Sequence, residues 1–131
     1  MTPEVSILQL KDIIIVPIQI ELHDEAAKKL QGDVLKKLET SGAKGLIVDI
    51  SAVFIVDSFL GRLLADTARM ASVMGAIVVL TGLRKDVALT LIQLGLNFKS
   101  LKTALNLDEA MEFIENEKVK RSRMRSPKIG K

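Results

Sequence analysis

The side chains that carry most enzyme chemistry are nearly absent from this chain of 131 residues. It has one histidine and no cysteine, tryptophan or tyrosine. Without cysteine there is no disulfide, no thiolate nucleophile and no sulfur ligand for a metal. His23 alone cannot supply the several ligands a metal site normally needs. It stands directly before Asp24 and reads as a residue at the start of a helix. Gly42 and Gly45 flank a turn with no Gly-Lys-Ser/Thr after it, so they form no phosphate-cradling loop. What remains is Asp49, Asp57 and Ser58.

Asp49 closes one apolar run and Thr81 closes the next. An acid at the tip of a buried strand, beside a hydroxyl residue on its neighbour, resembles a receiver domain that takes phosphate on aspartate. That family needs a further acidic pair after its first strand to hold Mg²⁺, and Lys11-Asp12 offers one acid at most. The competing expectation is that Asp49 accepts hydrogen bonds from loop amides.

The stretch from Asp49 to Ser58 leads into a helix and is rich in large apolar residues. Ser58 is placed to be the N-cap or a first-turn residue of that helix. Gly61 keeps the first turn slim, so that something can approach it closely. One reading of Ser58 is a helix cap and nothing more. The other is a phosphoacceptor: the start of a helix tolerates an anion, and about −2 of added charge would transform the surface a partner meets. Phe54, Ile55, Val56 and Phe59 either offer apolar docking area beside it or pack into the core, and at least two of the four belong in the core.

These residues need strands and helices to hold them. Val5 to Leu10 and Ile13 to Ile18 are apolar runs separated by Lys11-Asp12, which predicts a hairpin. Asp24 is expected to cap a helix to about Thr40, with Ala27, Leu30, Val34, Leu35 and Leu38 on one face and Gly42 as its stop. Gly45 to Ile50 and Ala76 to Leu80 predict buried strands. Helices are expected from Ser58 to Gly75 and from about Arg84 to Gly95. Leu101 to Ala104 predicts a short edge strand, and Asn106 with Glu109 a capping pair for a last helix to about Glu117. The order implies an α/β domain: a mixed, mostly parallel sheet of four to five strands, opened by a β-hairpin, with about four helices.

The composition agrees. Apolar residues make up 48% and aromatics 3%, a core of Leu, Ile, Val and Ala that suits parallel strands under helices. The net charge of +3 hides an asymmetry. Seven Lys and Arg lie in residues 118–131, leaving 12 against all 16 acids in residues 1–117, a balance of −4. A mildly acidic globule argues against a nucleic-acid face on the fold. The tail from Lys118 shows no periodicity and is expected to be disordered, giving a domain over 1–117 and a basic tail over 118–131. The apolar runs are too short to cross a membrane, and the polar start Thr2-Pro3-Glu4 lacks a signal pattern. The expected location is the cytoplasm.

The strand Leu46 to Ile50, the Val56-Asp57-Ser58 approach with Gly61, Val79 to Leu83, and Leu94-Gly95-Leu96 together resemble the STAS domain of anti-sigma-factor antagonists over about residues 4–116. Within that family, Glu21-Leu-His23-Asp24 and Asp57-Ser58-Phe59-Leu60-Gly61-Arg62 resemble the small stressosome scaffold proteins. The resemblance implies a non-catalytic protein with no cofactor and no metal, phosphorylated on Ser58. Asp57, Phe59, Gly61 and Arg62, with Phe54 and Ile55, form its expected partner surface. It implies a switch serine/threonine kinase that is held and then released on phosphorylation, a phosphatase that resets the site, sensor-bearing STAS co-scaffolds, and self-association. Two alternatives stay open: a simple anti-sigma-factor antagonist that binds an anti-sigma kinase directly, and the receiver domain using Asp49. The basic tail lies outside the family pattern.

Overall fold

The computed structural model describes residues 6–18, 23–97 and 101–125. Val5 of the first apolar run, Glu21 and Leu22 of the family-like segment, and the tail from residue 126 lie outside them.

Strands β1 (Leu8–Leu10) and β2 (Ile13–Pro17) form the predicted hairpin, with Leu10 opposite Ile13. Its two-residue turn lacks Gly and Asn, so Lys11 itself takes φ 56. From β2 the chain alternates: α1 (Asp24–Ser41), β3 (Gly45–Asp49), α2 (Ser58–Val73), β4 (Ile77–Thr81), α3 (Lys85–Gln93), β5 (Lys102–Ala104) and α4 (Leu107–Arg125). The sheet order is β1-β2-β3-β4-β5, antiparallel for the first pair and parallel for the rest. A strand order that follows the chain, with crossovers of one hand, puts every crossover helix on the same face.

The strands show why their apolar runs are continuous: both faces are covered. Ile14, Val16, Leu46, Val48, Val78 and Leu80 meet Leu30, Val34 and Leu38 of α1, Ala71 of α2, and Val87 and Leu91 of α3. The alternate positions Ile13, Ile47, Ile77 and Val79 meet Ala110 and Ile114 of α4 on the other face.

Two expectations about helix ends change. Asp24 is the first residue of α1, not its cap; the N-cap is His23, whose side chain makes no capping bond. Asp24 and Glu25 instead place negative charge in the first turn, where the helix dipole favours it. Gly42 does end α1, at φ 66, and donates to the Leu38 carbonyl. The capping pair of α4 forms: Asn106 Oδ1 accepts from Glu109 N at 2.9 Å, and Glu109 Oε1 accepts from Leu105 N at 3.3 Å.

The larger change is at the end of α4. The segment expected to lose structure at Lys118 stays helical to Arg125. Polar bonds hold it where apolar periodicity is lacking. Lys118 Nζ lies 2.7 Å from Asp12 Oδ2 in the β1–β2 turn, and Arg121 Nη1 donates to the Gly75 carbonyl at 3.2 Å.

Candidate functional site

The site is assembled at the carboxyl ends of β3 and β4. Asp49 Oδ1 accepts from Thr81 Oγ1 at 3.0 Å, and Asp49 Oδ2 accepts from Ser51 Oγ at 2.9 Å. Thr81 is 1% exposed, so this acceptor satisfies a hydroxyl that water cannot reach. The partners of Asp49 are two hydroxyls, where loop amides were expected. Backbone bonds add to the join: Ile50 N donates to Thr81 O at 2.9 Å, and Ile18 N donates to Asp49 O at 2.8 Å. Gly82, at φ +73, lies so close to Ser51 that a Cβ there would sit 2.6 Å from the serine Cβ. The β3–α2 and β4–α3 loops are thus packed as one piece.

This geometry bears directly on the receiver reading. Asp12, the one further acid the sequence offered, precedes β2, and β2 runs parallel to β3 with Ile13 opposite Gly45 and Pro17 opposite Asp49. Asp12 therefore sits at the opposite end of the sheet from Asp49. No group of three acidic or histidine ligands occurs among the described residues. Among the described residues, no acid pair that could hold Mg²⁺ is assembled beside Asp49.

Between Asp49 and α2 the chain divides its apolar residues between two environments. Ile50, Val53 and Val56 are buried, whereas Phe54 is 50% and Ile55 87% exposed. Phe59 is half-buried. Phe54 is held in place from outside: the Arg84 guanidinium lies 3.8 Å from its ring centroid, in cation–π range, and Arg84 Nη2 donates to Ser51 O at 3.4 Å. The place of Arg84 beside Phe54 was not legible in the sequence. It precedes α3, thirty residues from Phe54 in sequence, and only the packing of the two loops unites them.

Asp57 is the N-cap of α2. Its Oδ1 accepts from Leu60 N at 2.8 Å, and its carbonyl accepts from Gly61 N at 3.0 Å. Ser58 is therefore the first helical residue and not the cap. It is exposed, and its hydroxyl has no hydrogen-bond partner among the described residues. Capping does not explain this serine.

Gly61 also changes role. It is buried, and a Cβ on it would lie 2.8 Å from Leu94 Cδ1 and 3.6 Å from Leu91 Cδ2. What approaches the slim first turn is the end of this chain's own α3. Gly61 is a packing residue behind the surface, whereas Arg62 points to solvent.

The structure thus places Phe54, Ile55, Asp57, Ser58 and Arg62 exposed at and before the start of α2, sets Arg84 against Phe54, and buries Gly61. Among the described residues no helix is long and apolar enough to cross a membrane.

Comparison with known proteins matches residues 4–110 to the STAS domain. The S58E form of RsbS from Moorella thermoacetica superposes with TM-score 0.81 at 35% identity, covering 87% of this chain and 97% of that one. A chain from the molecular architecture of the stressosome, a signal integration and transduction hub, gives TM-score 0.78 at 37% identity, covering 85% and 96%. The RsbT co-antagonist protein RsbRB of Bacillus subtilis is 24% identical over 103 residues, 79% of this chain. This chain spans only 37% of that relative's length.

Proposed function

The chain belongs to the STAS domain family, and on that premise we propose that it is a non-catalytic stressosome scaffold that holds a switch serine/threonine kinase and releases it when Ser58 is phosphorylated. Its similarity to RsbS and to a stressosome chain over most of its length supports the scaffold half. The observation that carries the switch half is the state of Ser58: exposed, with a hydroxyl that has no partner among the described residues, three residues after an isoleucine that is 87% exposed. An apolar side chain turned to water at the rim of a well-packed fold fits a surface that a partner covers. A phosphate beside it adds about −2 charge to that contact. Ile55 and Phe54 then supply docking area, Asp57 fixes the helix that presents Ser58, and Arg62 and Arg84 frame the surface with positive charge. Partners of this reading are the kinase, a phosphatase, sensor-bearing STAS co-scaffolds such as the RsbT co-antagonist relatives, and further copies of this chain, all in the cytoplasm.

Titration of the kinase against Ser58 variants tests it, after site mapping of the phosphate it adds. Because Asp57 and not Ser58 caps α2, Ser58→Ala should change stability by no more than about 0.5 kcal/mol and keep the kinase bound. Ser58→Asp should fold equally well and bind the kinase at least about tenfold more weakly, some 1.4 kcal/mol. Phosphate mapped elsewhere, or equal affinity for both variants and the phosphorylated protein, overturns the switch. Migration as a large particle with a sensor-bearing partner separates a stressosome scaffold from a simple anti-sigma-factor antagonist.

A further inference from the structure

We propose that Arg62 receives the phosphate placed on Ser58, in an ion pair within α2 that exists only in the modified protein. The inference rests on the reading of Ser58 as the phosphoacceptor, and its ligand is that covalently attached group. Arg62 follows Ser58 by four residues in α2, so the two side chains leave the helix on one face, one turn apart, with about 5–6 Å between Cβ atoms. An acid at the earlier position and a base four residues later is the favourable order for such a pair. Both residues are exposed, so nothing must move aside.

The charges around them leave Arg62 available. It has no hydrogen bond or ion pair among the described residues. Asp66, the acid four residues further along the same face, is taken by Arg69 at 2.7 Å. Asp57 Oδ1 is occupied by Leu60 N at 2.8 Å. Arg84 lies against the Phe54 ring and bonds to Ser51 O. Among the described residues, Arg62 is therefore the uncommitted guanidinium on the face that carries Ser58.

A phosphate on Ser58 would stand beside the Asp57 carboxylate, which repels it. A guanidinium fork offers paired donors matched to phosphate oxygens, and such charge-assisted bonds are stronger than neutral ones. The modification then does two things at once. It adds an anion to the docking face, and it ties down a cation that the unmodified face presents to a partner.

Phosphoserine installed at position 58 during synthesis makes the test independent of any kinase. The ³¹P resonance is followed through the second ionisation of the phosphate, near pH 6, in the wild-type background and in R62Q. With Arg62 present the ionisation should fall lower by roughly 0.3 pH or more. R62K should lie between, since lysine keeps the charge and loses the fork. The difference should shrink at about 1 M salt, where screening reaches about 3 Å. Coincident curves for the wild type and R62Q overturn the role of Arg62 and leave Ser58 as the switch. Failure of the kinase to modify Ser58 sinks the switch and leaves this titration as it stands. Circular dichroism confirms that all three proteins fold, as expected for an exposed side chain with no partner among the described residues.

Discussion

The two ends of one sheet are held by different chemistry. At the foot, where the parallel strands begin, charges do the holding: Lys118 bridges Asp12 at 2.7 Å and Glu115 at 3.2 Å, and Arg121 bonds to the Gly75 carbonyl. At the top, where they end, neutral hydroxyls do it: Thr81 and Ser51 converge on the single carboxylate of Asp49. The foot fixes a helix across the start of the strands. The top fixes two loops while leaving Ile55 and Phe54 outside. A new charge at the foot joins a crowd of charges. At the top it lands beside the exposed apolar side chains of Ile55 and Phe54.

The variant expected to disturb the top most is Gly61→Leu. Its Cβ alone would press on Leu94 Cδ1 at 2.8 Å, and overpacking of this kind costs about 1–3 kcal/mol. Urea unfolding should show the loss, while kinase affinity per folded molecule should hold. A fully stable Gly61→Leu that cannot hold the kinase would put Gly61 back on the docking face. Asp49→Ala comes next, because it strands the buried Thr81 hydroxyl, a loss of about 1–2 kcal/mol within the range for an unsatisfied buried group. It should also loosen residues 51–57 and weaken kinase binding, an effect that damage confined to the foot should not produce. Unchanged kinase affinity in Asp49→Ala would separate the hydroxyl cluster from the docking loop.

Much of this was legible in the sequence, for a physical reason. The runs Leu46–Val48 and Val78–Leu80, and the stripe Leu30, Val34 and Leu38 in α1, are patterns that burial itself imposes, so element order and sheet follow from them. Ser58 could be placed at the start of α2, but cap and first residue differ by one position, and only the Asp57–Leu60 bond separates them. Gly61 read as room for a partner because sequence does not say that Leu94 returns to fill it. Arg84 over Phe54 and Lys118 on Asp12 are contacts between distant segments and leave no periodic trace. The same cause hid the turns of α4 past Glu117: Lys118 pairs with Asp12 and Arg121 bonds to the Gly75 carbonyl, and hydrophobic patterning is blind to polar bonds.

The smallest effect expected is at the foot, and it carries a pH signature. Asp12 is held below the ordinary carboxylate range, chiefly by the hydrogen bond from Lys118. Lys118 is held above the ordinary lysine range, chiefly by the bond to Asp12. The contribution of Asp12 is complete above its unfolded value of about 3.9 and is lost as pH falls through the lowered folded value. That of Lys118 is complete below about 10.4 and is lost as pH rises through the raised folded value. The pair therefore supports the fold across the neutral range and fails at both extremes. Side-chain exposures of 27% and 35% keep it modest, under about 1 kcal/mol. Lys118→Met keeps the apolar stem and removes the charge. Its stability deficit should be flat from about pH 5 to about pH 9, narrow toward acid and alkali, and shrink in high salt. Kinase affinity should not change, because the bridge lies at the far end of the sheet from Ser58. A deficit that ignores pH and salt would mean that α4 is held by the packing of its side-chain stems, and the contrast between a foot held by ion pairs and a top held by hydroxyl bonds would fall with it.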